Sequence, residues 1–209
     1  MLKSALHNYA RIRFYWDGAA LQAHAEAMGD PSLNWLDLPA LGRVGGLEAT
    51  HVWFAPNPPV DRAARESVVA YAKSLSALGV QSRASAGPGV ATECLRCGHG
   101  WREIRAASDL TLALAVLEDA LADVCDMAFV FASAHVLGAL DGPFARLFPG
   151  KELGRVSFGP ARGRRHGGPV LTLRPAQIAA ARLRVLAAAR RAQPRFRQIN
   201  QLAAEEASP

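Results

Sequence analysis

Residues 128–132 read AFVFA, a continuous apolar run of strand length. A strand with one wet face alternates polar and apolar side chains. An unbroken run instead suits a parallel strand covered on both sides. Working outward from it, residues 11–17 (RIRFYWD) form an aromatic and β-branched run ending in Asp17 and Gly18, which predicts a buried strand with a carboxylate at its end. Residues 49–54 (ATHVWF) and 153–158 (LGRVSF) predict two further strands.

Helical patterns lie between these runs. Residues 19–28 are rich in Ala, Leu and Gln, and Gly29, Asp30 and Pro31 break the pattern. Residues 36–41 lie in the segment WLDLPAL, where Asp37 can cap a short helix with Pro39 near its start. Asp61 is placed to cap a helix running to about residue 77, with Val68, Val69, Ala72 and Leu75 on one face and Gly79 as its stop. Residues 82–91 are polar and rich in Gly and Pro, a loop or a weak edge strand. Residues 108–123 carry Leu110, Leu112, Leu114, Val116, Leu117 and Leu121, apolar on more than one face, and predict a buried helix. Helices are also predicted over 136–147 and 175–191, with a turn at 149–151. Strands alternating with helices predict a doubly wound α/β fold with a mostly parallel central sheet between helical layers. Residues 1–185 read as one domain with an insertion near 94–101, and 186–209 as a basic helix end and polar tail.

The 209 residues, half of them hydrophobic, suffice for a buried core. No apolar run reaches the ~18 residues of a membrane span. The start, MLKSALHNYARIRFYW, has scattered charges and does not read as a secretory signal, so the expected location is the cytoplasm. Three cysteines, Cys94, Cys97 and Cys125, argue against a disulfide framework. The net charge is +6, and Lys3, Lys73 and Lys151 are the only lysines. Excess arginine is compatible with phosphate recognition and, equally, with a genome of high G+C content.

In doubly wound sheets, ligands bind beyond the carboxyl ends of the strands. Asp17 and the segment Ser133–Ala134–His135 sit at such ends. Arg162, Arg164, Arg165 and His166 form a basic, Gly-rich loop after a strand, suited to clamping phosphates or simply to a solvated face. Arg182, Arg184, Arg190, Arg191, Arg195 and Arg197 add a basic helix. Tyr15, Trp16, Trp53 and Trp101 can stack bases, although strand aromatics more often fill a core. Cys94-x-x-Cys97 with His99 is half a zinc knuckle, short of the four ligands structural zinc wants. Cys125 reads as a small core residue.

Taken in order, the Asp-Gly strand end, WLDLPAL, a helix ending LGV, C-x-x-C-G-x-x-W, an acid-started Leu/Ala-rich helix, the apolar strand and LFPGK are similar to bacterial NYN-domain proteins, which are PIN-like ribonucleases. The resemblance spans roughly residues 11 to 185. It implies a PIN-like three-layer fold, an RNA partner and an acidic site holding Mg²⁺ or Mn²⁺. Asp17 and Asp109 match two of the catalytic, metal-binding acids. Ala20 stands where the family has Asn, and Ser133–Ala134–His135 stands where it has Asp-Ser-Asp. Two carboxylates are therefore missing, which implies weak or absent cleavage with Mg²⁺. A set of Asp17, Asp109 and His135 would suit Zn²⁺ or Mn²⁺ better, because imidazole prefers those ions. Against it stands a reading of His135 as a surface residue at a helix start. Family members carry the same CxxC, which implies a zinc-stabilised hairpin at Cys94, Cys97 and His99. The alternatives are an active metal-dependent endoribonuclease using Asp17, Asp109 and His135, or a protein-interaction or small-molecule module that reuses the pocket, and a homo-oligomer or a protein partner is compatible with the altered site.

Overall fold

The structure is a computed structural model that describes residues 11–30, 33, 35–44, 51–56, 62–82, 90–93, 100–103, 105–159 and 168–182. In chain order the elements are β1 (Ile12–Asp17), α1 (Gly18–Met28), α2 (Leu38–Val44), β2 (His51–Ala55), α3 (Arg62–Ala77), β3 (Gln81–Ser82), β4 (Val90–Glu93), β5 (Gly100–Glu103), α4 (Arg105–Leu121), β6 (Met127–Phe131), α5 (Ala134–Leu147), β7 (Glu152–Phe158) and β8 (Val170–Leu173). Residues 175–182 are again helical.

Six strands form one sheet in the order β3-β2-β1-β6-β7-β8, and every pairing in it is parallel. β4 and β5 make a separate antiparallel hairpin. The α/β architecture with a parallel central sheet is therefore as the alternating runs predict. The AFVFA segment forms β6, buried along its whole length and paired with both β1 and β7. It is covered on both sides because strand side chains alternate between faces. Phe14, Trp16, Phe129 and Phe131 join α1, α2 and α3 through Leu21, Leu38, Leu41, Tyr71 and Leu75. Tyr15, Ala128 and Val130 join α4 and α5 through Leu112, Val116, Val136, Leu140 and Phe144. These are the two helical layers.

Local signals place the turns that frame the site. Gly29 adopts φ 64° and its N–H closes the end of α1 on Ala25 and Glu26 carbonyls. Asp37 caps α2 by accepting from the Ala40 N–H at 2.9 Å, as its position before Leu38 and Pro39 predicts. The buried Tyr71 hydroxyl accepts from Leu36 N–H and donates to Leu36 C=O, tying α3 to the turn before α2.

Three expectations are corrected. The inner face of α3 is Tyr71 and Leu75, whereas Val69 is exposed. Asp61 lies outside the described residues. α4 begins at Arg105, three residues before the expected start, and is not buried all round: Leu112, Ala115, Val116 and Ala120 face the sheet while Leu110, Leu114 and Leu121 are exposed. An Ala/Leu sequence of this kind satisfies one buried face whichever way it rotates, so composition alone does not reveal the open one.

Candidate functional site

The strand order reverses direction between β1 and β6, with β2 and β3 to one side and β7 and β8 to the other. Crossovers on the two sides leave from opposite faces there and open a crevice at the carboxyl edge. Asp17 is the last residue of β1 and stands in that position.

Asp17 is completely buried. Its Oδ1 accepts from the Ala19 N–H at 2.9 Å and so caps α1. Its Oδ2 is buried with no hydrogen-bond donor against it. The neighbour across the crevice is the carboxyl of Asp109, close enough to share a hydrogen bond. Two carboxyl oxygens in that relation need a proton or a cation between them, because neither supplies a donor when ionised. Burial is the main cause that pushes the Asp17 carboxyl up to about 7, and Asp109 adds to it. The N–H groups of Ala19 and Ala20 at the start of α1 pull the other way, but burial wins.

Asp109 lies on α4 as its fifth residue, partly exposed. The early start of α4 moves it out of the first turn, which has no acid. Its place is thus poorly accounted for by the helix dipole, whose effect fades after one turn. What holds it here is the meeting of α4 with α1 at the edge of β1.

The segment at 133–135, which the resemblance matched to an acidic cluster, serves differently. Ser133 is the N-cap of α5, with its hydroxyl accepting from the Val136 N–H at 3.4 Å. His135 is the second residue of α5 and is exposed. Among the described residues no group of three or more His, Cys, Asp or Glu side chains could hold a metal ion. The structure therefore brings Asp17 and Asp109 together and leaves His135 apart from them.

Cys94, Cys97 and His99, and likewise Arg162, Arg164, Arg165 and His166, lie outside the described residues, as do Arg184, Arg190, Arg191, Arg195 and Arg197. Arg182 is engaged with Asp30 at 2.8 Å. Cys125 is a buried free thiol, as expected of a small core residue. Tyr15 and Trp16 are wholly buried and Trp53 nearly so, which removes all three from base stacking; the side chain of Trp101 lies outside the described residues.

A second polar cluster sits on the same face and escaped the sequence reading. Asp119 Oδ2 accepts from Arg13 Nη1 and from the Tyr15 hydroxyl, each at 2.7 Å. Burial, helped by Cys125 and Asp119, raises the Tyr15 phenol far above its usual range. With Glu118, Ala115, Trp53, Gln81 and Ser82, Asp119 lines a cleft of about 320 Å³ between α4 and the β3 edge. It lies ten residues along α4 from Asp109, about 15 Å at the helical rise. The signal that could have found it is Arg13, a lone cation inside an otherwise apolar strand.

No protein-family model and no curated protein matches the chain. No helix among the described residues is long and apolar enough to cross a membrane.

Proposed function

We propose that the chain is a PIN-like domain of the NYN type with an altered acidic site, and that it binds RNA while cleaving it weakly or not at all. The observation that carries this reading is the Asp17–Asp109 pair at the switch point, with no third carboxylate or histidine beside it among the described residues. The motif order that resembles the NYN family adds the RNA and the ancestry.

The pair fits one hard cation. Mg²⁺ or Mn²⁺ takes oxygen ligands, commonly one or two carboxylates completed by water and substrate phosphates. The orphaned Oδ2 of Asp17 is a buried acceptor that such an ion would satisfy. Asp17 and Asp109 would hold it, and when bound it would supply positive charge against a phosphate. A second ion and a positioned water need further acids, and Ser133 and His135 do not provide them. Asp17 itself is fixed by the Ala19 N–H, and its burial excludes water from the crevice floor.

The basic stretch 161–168 comes directly after β7 in sequence, and the carboxyl end of β7 lies on the same edge of the sheet as Asp17. Arginines there suit bidentate phosphate contacts without reading sequence. The test is a titration of labelled single-stranded RNA at several salt concentrations. Affinity that falls steadily with salt, and falls further when Arg162, Arg164 and Arg165 are replaced together by Gln, is expected. An absence of binding at low salt, or binding without a salt slope, would refute the RNA reading.

A further inference from the structure

The carboxyl edge of the sheet carries side chains that the acidic pair does not use. Phe131 ends β6 and Phe158 ends β7, on the sheet face that α1 covers. His24 reaches both from α1. Its ring lies 4.8 Å from that of Phe158 at 33° and meets Phe131 edge-on at 6.3 Å. Phe131 and Phe158 are 4.8 Å apart, and Trp16 packs against both. Trp16 is wholly buried and Phe131 nearly so. Phe158 and His24 are half-buried, so this outer pair presents ring surface to solvent. Burial holds the His24 imidazole below its usual range, which keeps it neutral at pH 7. Among the described residues the other half-buried rings lie elsewhere. His51 begins β2 and Phe148 precedes β7, both at the amino edge, and Trp35 packs on Tyr71 beside α2.

A cation stands beside the pair. Phe158 pairs with Leu173 across β7 and β8, and Arg174 directly follows Leu173. The Cα atoms of Arg174 and Phe158 are therefore within roughly 9 Å. The two chains remain bonded there, with the Gly159 N–H donating to the Leu173 C=O at 3.1 Å. Arg174 is exposed, and its guanidinium has no hydrogen bond or ion pair among the described residues. Arg155 and Arg182, by contrast, are held by Asp141 and Asp30. The acid of α1, Glu26, accepts from Gln22 and lies about 200° round the helix from His24.

An open ring surface beside an unengaged guanidinium suits a nucleotide, because the rings take the base and the arginine takes the phosphate. The free positive charge selects such an occupant over a plain apolar one. We propose that His24 and Phe158 stack one base of a bound single-stranded RNA while Arg174 holds an adjoining phosphate. This rests on the RNA reading and names contacts for it. β7 is two strand spacings, about 10 Å, from β1, so one short strand reaches both these rings and the Asp17 crevice along a single edge.

The test is fluorescence anisotropy on the full chain with a labelled single-stranded RNA and with an abasic oligomer of the same length and charge. Phe158→Leu keeps an apolar side chain and removes the flat ring, and His24→Ala removes the other ring. Each should weaken binding of the intact RNA about fivefold or more and leave abasic binding unchanged, with circular dichroism as in the wild type. Arg174→Gln should weaken both oligomers and lower the log–log salt slope by about 0.7, the value of one phosphate on a single strand. RNA binding that neither ring substitution weakens overturns the proposal and leaves the RNA reading standing. So does a loss shared equally by the abasic oligomer, which marks a purely structural role, or an Arg174→Gln protein with the wild-type salt slope. A wild type that binds no RNA at low salt ends both.

Discussion

Asp17 divides its carboxyl between two tasks. One oxygen caps α1, and the other is buried toward Asp109. A cap residue and a site residue are thus the same side chain, and the two readings of an aspartate after a strand are not exclusive. The pH consequence has a definite sign. The folded carboxyl titrates near 7 and the unfolded one near 3.8, so the folded state holds a proton that the unfolded state releases between these values. Stability from this group is fully present below about 3.8 and is lost as pH rises through about 7. Such a displacement corresponds to at most about 4 kcal/mol. Asp17→Asn keeps the acceptor for Ala19 and gives Asp109 an N–H donor. It should therefore stabilise the protein by about 2–4 kcal/mol at pH 8 and by little at pH 4, as read by chemical denaturation at both. An equal effect at the two pH values would show that the carboxyl is not held protonated. His135 stands exposed and apart, so His135→Ala should leave Mn²⁺ and Zn²⁺ titration heats unchanged, whereas a lost binding event would restore it to the site. Asp17 was legible because a strand ending in Asp-Gly has a fixed place in a doubly wound sheet. The Arg13–Tyr15–Asp119 cluster was not, because Asp119 lies more than 100 residues from the other two in sequence and only packing brings it to them.

Elements were legible in kind and less so in face. The apolar run at 128–132 named a two-sided strand, and β6 is one. The same reasoning applied to α4 predicted burial all round, and its outer leucines contradict that. Periodicity reports which residues can share a face, whereas burial depends on whether another layer exists to cover it. The pairing of β7 with the segment before β8 was likewise invisible, because glycine spacing does not say what approaches it. A Cβ added at Gly168 would stand 2.0 Å from the Leu153 carbonyl oxygen, and one added at Gly154 would stand 2.6 Å from the Phe129 ring. The first obstacle is backbone and cannot rotate away. Gly168→Ala should then cost about 1–3 kcal/mol in urea denaturation, with an unchanged dependence on denaturant. A variant as stable as the wild type would mean that β7 and this segment part more readily than their contact implies. On the other helical layer, Tyr71→Phe removes both hydrogen bonds to Leu36 and leaves its buried N–H and C=O without that partner. A loss of about 1–3 kcal/mol is expected in the same measurement.

At the scale of the molecule, the sheet order places a switch point at β1 and β6, and the two acids meet beside it. The sequence could name Asp17 and Asp109 as partners only through a resemblance, because residues 92 positions apart share no local pattern. Their meeting is a property of the topology. The same topology sets Ser133 to cap α5 and leaves His135 exposed on its first turn. What remains is a crevice with one buried carboxyl pair. The most direct measurement is incubation of the purified chain with end-labelled single-stranded RNA in Mg²⁺ and, separately, in Mn²⁺, beside Asp17→Asn and Asp109→Asn. RNA that is retained but left intact by all three proteins is the predicted result. Rapid cleavage by the wild type that disappears in either variant would contradict the account and make the two remaining acids a sufficient catalytic site.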